Sequence, residues 1–255
     1  MLILGLDTAT PAVTVALHDG ARPLAQMVTV DAHRHAELLM PSISAVIDEA
    51  GVTRADLTGI AVGAGPGPFT GLRVGLVTAR VLGLALGIPV YGACTLDVIA
   101  ADVEAAEGFV RGGYGGSSPR EIEKDAPGKM ANSAIGRGFL VASDARRREV
   151  YWAAYDSGGR RLGEPAVAVP AAVPAGGRPV AGEGAVLYPD LLPGATGPVY
   201  PAAASLCRLV ADALKAGEED RLLPPDPLYL RRPDAREPGA PKRVTETAAP
   251  KRAPR

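Results

Sequence analysis

The stretch Gly63–Gly75, GAGPGPFTGLRVG, has the composition of a loop that holds phosphate, because glycines admit a ligand close to backbone N–H groups and a helix start adds unpaired donors. Its spacing excludes the two common phosphate motifs. A dinucleotide fingerprint counted from Gly65 and Gly67 needs glycine or alanine where Thr70 stands. A P-loop counted from Gly65 meets Thr70 and Gly71 where it needs glycine and lysine. What remains is a general anion site built by Gly65, Gly67, Thr70, Gly71 and Arg73. Thr70 is placed at the cap or first turn of a helix, Arg73 follows in that turn, and no acidic residue occurs between Asp56 and Asp97. Such a site suits an anion and cannot hold a metal by itself.

The elements that position this loop are legible in the apolar pattern. Gly59–Gly63, GIAVG, reads as a short buried strand, and Leu72–Leu86 is apolar at nearly every helical position, so the unit is strand, loop, helix. Along that helix Gly71, Gly75, Ala79, Gly83 and Gly87 recur every fourth residue. They form a stripe of small side chains that admits close approach by another helix. A helix apolar on all sides must be covered on all sides. The helix starting near His35, with Leu38, Leu39 and Ile43, supplies part of the cover, and a partner chain over Gly71, Gly75, Ala79 and Gly83 is expected to supply the rest.

Composition narrows the function. Twenty-seven basic and 28 acidic residues leave a formal net charge of −1, with the basic groups spread out, so there is no footprint for autonomous nucleic-acid binding. Cys94 and Cys207, the two cysteines, suit a reducing compartment as buried thiols. The opening MLILGLDTAT reads as a strand interrupted by Asp7 and not as a signal peptide, and Arg73 and Arg80 argue against a membrane span in Leu72–Val90. The expectation is a soluble cytoplasmic protein without membrane association.

The chain also repeats itself. Ile3–Asp19, ILGLDTATPAVTVALHD, lies without gaps over Leu140–Asp156, LVASDARRREVYWAAYD. The overlay brings Asp7 onto Asp144, Val13 onto Val150 and Ala16 onto Ala153. Each copy reads as strand, aspartate, turn and strand.

Five segments together resemble the TsaB (YeaZ) family: LGLDTAT, HAELLMPSI, GAGPGPFTGLRVG, SDARRREVYWAAYD and PLYLRRPDA. They are scattered over residues 1–234, and GPGPFTGLRVG and DARRREVYWA are the specific parts. The resemblance implies an α/β protein of the actin-like ATPase (ASKHA, ribonuclease H-like) fold, with two duplicated lobes, each a mixed sheet covered by helices. It implies a non-catalytic subunit required for threonylcarbamoylation of the adenosine next to the anticodon (t6A) in ANN-decoding tRNAs. That subunit would bind and activate the TsaD catalytic paralogue as a heterodimer, with a TsaE-type ATPase and tRNA engaged through the complex, and would form a homodimer when alone. The competing reading is an active small-molecule kinase or ATPase of the same fold. A peptidase is excluded, since no Ser-His-Asp or metalloprotease constellation is present.

In this fold Asp7, Thr8 and Thr10 would cradle a phosphate or hydrated magnesium at the first hairpin turn. Alternatively Asp7 closes the turn through local hydrogen bonds, which is the favoured reading for the two threonines. Asp144 faces the same choice, but Ala145–Arg148, ARRR, replaces the glycine-rich turn of a working clamp. Gly182 and Gly184 fit the adenosine-side loop loosely, and an ordinary strand-to-helix turn explains them more simply. The metal-binding His-x-x-x-His pair of the catalytic relative is missing, because Leu39 stands four residues after His35, while His33 and Glu37 read as a solvated pair. No metal and no required cofactor are expected, only weakly held ATP or ADP with magnesium at the complex interface. The domain boundaries read as a first lobe over 1–106, a flexible insertion over 107–137, a second lobe over 138–232 with a helix from Ala202 to Lys215, and a disordered tail over 233–255.

Overall fold

The computed structural model describes residues 1–111, 138–193 and 197–231. The expected tail at 233–255, and the expected insertion apart from its first five residues, lie outside the described residues. The first sheet is built on β1 (Ile3–Asp7). On one side β1 pairs antiparallel with β2 (Ala12–His18), which pairs with β3 (Pro23–Val30). On the other side it runs parallel to β4 (Gly59–Gly63), followed by β5 (Val90–Ala93). β1, β2 and β4 are buried at every position, which is why they read as apolar runs and not as alternation.

The second sheet repeats this plan in shorter form. β6 (Phe139–Asp144) pairs antiparallel with β7 (Val150–Tyr155), β7 with β8 (Ala166–Ala168), and β6 runs parallel to β9 (Val180–Ala181). The sequence repeat is therefore a repeat of topology. One difference falls at the turns: Asp7 pairs with Thr14, whereas Asp144 pairs with Val150, so the second turn is a residue shorter than the first.

Helices α1 (His35–Ala50) and α2 (Phe69–Leu86) cover one face of the first sheet, where Leu39, Ile43, Leu72 and Leu76 meet Leu4, Leu6, Val13 and Val62. The placement of the helix from Ala202 to Lys215 in the second lobe needs correction. Helix α3 (Thr95–Arg111) leaves the first sheet and packs on the second, with Ile99 and Val103 beside Phe139, Val141 and Tyr155. Helix α5 (Ala203–Ala216), expected in the second lobe, returns to the far face of the first sheet, with Leu206, Cys207 and Val210 beside Ile3 and Ala61. A sheet apolar on both faces needs two covering layers, and α5 supplies the second. Gly5 permits it, because a Cβ there would lie 2.4 Å from Cys207 Sγ and 2.7 Å from the Ala203 carbonyl oxygen. The start of α5 lacks a side-chain cap of its own, and α3 provides one: the Ala202 N–H donates to Asp102 at 2.9 Å. Between these two helices lies the short helix α4 (Glu183–Leu187).

The small-residue stripe of α2 also needs correction, because it faces the chain's own sheet and not a partner. A Cβ on Gly75 would lie 2.5 Å from Thr8 Oγ1, one on Gly71 2.7 Å from the Thr8 carbonyl oxygen, and one on Gly83 2.3 Å from Val90 Cγ2. Ala79, Leu39 and Ile43 are buried in the same core, and Leu38 packs against it. A four-residue period of small side chains shows that something approaches closely, but not what it is. The opposite face of α2 is the uncovered one, with Phe69, Val77, Val81 and Leu84 exposed.

Candidate functional site

Asp7 ends β1 in full burial. One carboxylate oxygen accepts the Ala9 N–H at 2.7 Å and the other accepts the Thr95 hydroxyl at 2.8 Å. Burial pushes its pKa up to about 6, against the lowering effect of those two donors. The carboxylate is thus spent on its own turn and on the start of α3. Thr8 is spent likewise: its hydroxyl donates to the Gly71 carbonyl at 2.7 Å and accepts the Gly75 N–H at 2.9 Å. Those two backbone groups ordinarily bond to each other across one helical turn, so Thr8 bolts β1 into α2. The Thr10 hydroxyl accepts the Ala12 N–H at 3.3 Å, and its carbonyl accepts from His35 Nε2 at 2.8 Å.

The glycine-rich loop is filled by protein. A Cβ on Gly67 would lie 2.2 Å from the Ala9 carbonyl oxygen, and Gly65, at φ +93°, sits against Leu72 and accepts the Thr95 N–H at 2.7 Å. Thr70 and Gly71 are in the first turn of α2, which starts at Phe69 after Pro68. Arg73 occupies the exposed face of that helix. Its guanidinium lies 3.5 Å over the Phe69 ring, and its Nε donates to the Tyr229 hydroxyl at 2.8 Å.

In the second hairpin Asp144 accepts the Arg146 N–H at 2.8 Å and pairs with the Arg146 guanidinium at 3.2 Å. Arg146, Arg147 and Arg148 adopt left-handed backbone at φ 60°, 56° and 62°. For residues other than glycine this conformation costs about 1–2 kcal/mol each. Gly182 and Gly184 are pressed against β6, where Cβ atoms would lie 2.3 Å from the Ala142 carbonyl oxygen and 2.8 Å from Ala142 Cβ.

The structure gathers part of the expected set around one cleft. Thr8, Thr10, Thr70 and Gly71 line it, together with two residues not expected there, His35 and Arg146 of the second hairpin. Asp7, Gly65, Gly67, Arg73, Asp144, Gly182 and Gly184 are not among its walls. Its volume is ≈ 150 Å³, below the roughly 300 Å³ at which small-molecule pockets begin. No carboxylate lines it, and Arg146 brings a guanidinium to its wall. Among the described residues no group of three or more His, Cys, Asp or Glu side chains could hold a metal ion.

Several participants were not legible in sequence. His35 and Thr95 reach Thr10 and Asp7 only through the fold. Asp97 joins α3 to the second sheet by accepting from the Tyr155 hydroxyl at 2.8 Å and pairing with Arg161 at 2.9 Å. The segment Leu222–Arg231 straps α2, through Tyr229 on Arg73 in its first turns and through Asp226 on Arg80 further along at 3.0 Å. Its motif PLYLRR carries family resemblance, but no periodicity announces its contacts.

Buried Asp7 and half-buried Asp102 imply a dependence on pH. Burial raises Asp7 and Asp102 from 3.8 to about 6. The folded chain therefore keeps protons that the unfolded chain releases between these values. Their contribution to stability is present below 3.8, falls as pH rises toward 6, and is flat above. An upper bound is about 3 kcal/mol per group. Asp102→Asn, which retains an acceptor for the Ala202 N–H, is expected to gain in stability relative to the parent when urea unfolding is moved from pH 4.5 to pH 7. A difference that does not change with pH would show that Asp102 ionises normally.

Two sheets of one repeated topology, each opening on a hairpin whose first strand ends in aspartate, define an α/β protein of the actin-like, ribonuclease H-like class. A family model described as TsaD, tRNA N6-adenosine threonylcarbamoyltransferase, matches residues 26–109. The chain is similar to an uncharacterized protein of Mycobacterium tuberculosis, 43% identical over 240 residues that cover 92% of this chain and 93% of the relative. It is similar to the tRNA threonylcarbamoyladenosine biosynthesis protein TsaB of Escherichia coli, 33% identical over 178 residues, covering 66% of this chain and 62% of that protein. The solved structure of YeaZ from Pseudomonas aeruginosa matches with a TM-score of 0.65 at 30% identity, covering 90% of this chain and 99% of that one. The chain belongs to the TsaB (YeaZ) family.

Proposed function

We propose that this chain is an accessory subunit in the formation of threonylcarbamoyladenosine in tRNA, and that it docks on a TsaD-type paralogue through the exposed face of α2. The observation that carries the docking is the apolar row on that face, where Val77 and Val81 are each 58% exposed and Leu84 86% exposed. Rows of this kind on a helix that is otherwise part of a core mark interaction surfaces. The TsaD family model matches residues 26–109, which include both α1 and α2. A partner of that family therefore brings a related helix pair, and two related pairs can meet about a local two-fold axis.

The chemistry of transfer belongs to the partner. Asp7 is sealed, Asp144 is tied to Arg146, and neither carboxylate reaches the small cleft lined by Thr8, Thr10 and Arg146. ATP or ADP with magnesium is accordingly assigned to the complex interface, and a TsaE-type ATPase and tRNA join through the complex in the cytoplasm. The kinase or ATPase reading draws no support from this cleft. The test is reconstitution. The isolated chain, incubated with ATP, magnesium and tRNA, is expected to give no repeated turnover, and to raise product formation when added to the TsaD paralogue, with which it co-elutes on size exclusion. Multiple turnovers by the chain alone, lost in Asp7→Ala, would refute the accessory role.

A further inference from the structure

We infer that the C-terminal strap, residues 222–231, is a latch between the two lobes: one end is seated on the first sheet, the other grips the strained arginine turn of the second hairpin, and Arg146 is held at the cleft only while the strap is in place. The anchor on the first lobe is backbone. Gly92 of β5 and Leu223 exchange N–H to carbonyl bonds at 2.8 and 2.9 Å, and the Leu228 N–H donates at 2.8 Å to the carbonyl of Ala64, the residue after β4. Gly92 permits the approach, because a Cβ there would lie 2.5 Å from the Pro224 carbonyl oxygen. Asp226 and Tyr229 then tie the strap to Arg80 and Arg73 of α2.

The anchor on the second lobe is made of side chains. Leu223, Leu228 and Leu230 pack against the cluster that holds Phe139, Val141 and Tyr155 of the second sheet. Beyond them Arg231 takes both ends of the turn: its Nη1 donates to the Ala145 carbonyl at 3.2 Å, and its guanidinium pairs with Glu149. Between Ala145 and Glu149 stand Arg146, Arg147 and Arg148, three successive residues in left-handed backbone. Inside the turn the same ends are joined by the Ala145 N–H on the Glu149 carbonyl at 3.0 Å, and the Glu149 N–H donates to the Arg146 carbonyl at 3.1 Å. A run of left-handed residues other than glycine persists only where its surroundings over-determine it, and Arg231 grips the turn from outside. Among the described residues Arg146 is the second lobe's wall of a cleft otherwise built by the first, from Thr8 and Thr10 to Thr70 and Gly71. Lobes of one chain move against each other by default unless their interface is tied, and the strap ties this one at the cleft itself.

The test uses the full chain with spin labels on Ala55→Cys in the first lobe and Ser157→Cys in the second, both exposed positions, while Cys94 and Cys207 are buried away from the label. The parent is expected to give one inter-lobe distance. Arg231→Met should add a displaced population of about a tenth or more. It should also speed amide exchange at Ala145 and Glu149 by about tenfold, with protection in β6 and β7 unchanged. Arg231→Lys, which keeps a cation for Glu149, should return most of the parent distance. Leu228→Asn combined with Leu230→Asn should add the same displaced population, and if that double variant does not fold, Arg231→Met decides alone. A single unchanged distance in Arg231→Met, whatever its melting temperature, would show that the strap is ordinary core packing and overturn the latch. Faster exchange at the turn with an unchanged distance would overturn it too, and leave Arg231 a brace of its own hairpin.

Discussion

Gly75→Leu is expected to cripple the fold of the isolated chain and to leave the docking face itself untouched. The glycine sits where α2 crosses the end of β1, and a Cβ there would lie 2.5 Å from Thr8 Oγ1 and 3.4 Å from Leu6 Cδ1. Overpacking at such a contact costs about 1–3 kcal/mol. The same side chain must break the bridge from the Thr8 hydroxyl to Gly71 and Gly75, two buried hydrogen bonds worth about 1 kcal/mol each. The sum, about 3–5 kcal/mol, is a large part of the roughly 5–15 kcal/mol that stabilises an ordinary domain. Thermal and urea unfolding of the isolated chain will show it as a lowered midpoint, and association with the paralogue should fall only as the folded fraction falls. An unchanged melting temperature with lost association would restore the small-residue stripe to the interface.

The second large effect is expected on the other side of the same helix. Val81→Asp combined with Leu84→Asp places two charges where the parent side chains are 58% and 86% exposed, so the isolated chain keeps its stability. In a complex those carboxylates would be desolvated against an apolar surface, and about 3 kcal/mol of lost binding corresponds to roughly two orders of magnitude in Kd. Titration of the variant against the paralogue measures this directly. Retained affinity would remove the exposed row from the interface and leave the accessory role without its docking surface. The two experiments divide α2 between its inner face, whose variants report on folding, and its outer face, whose variants report on assembly.

Much of the architecture was readable before any coordinates. The buried strand Gly59–Gly63 and the helix start at His35 coincide with β4 and α1, because each is a continuous local pattern bounded by its own breakers. The repeat of Ile3–Asp19 in Leu140–Asp156 anticipated two sheets built on one plan, since aligned apolar strands around an aspartate turn dictate the same hairpin twice. The reading of Asp7 as a local turn-closer was open in sequence alongside the phosphate role. Burial and the Ala9 and Thr95 donors now account for both of its oxygens.

Other features depended on which surfaces meet. The period of Gly71, Gly75, Ala79 and Gly83 encodes a close approach, but a side chain's absence carries no label for its neighbour, and here the neighbours are Thr8 and Val90. Chain order suggested that the helix from Ala202 to Lys215 serves the second lobe. As α5 it instead crosses to the first sheet, because coverage of apolar faces is satisfied in space, without regard to sequence distance. Arg73 had the position of an anion ligand in the first turn of a helix, and its direction was set by Tyr229, a residue brought to it only by the path of the strap. Local order along the chain thus wrote the strands, helices and turns, while the use of each exposed or glycine-bare face was settled by long-range contacts that no single stretch of sequence contains.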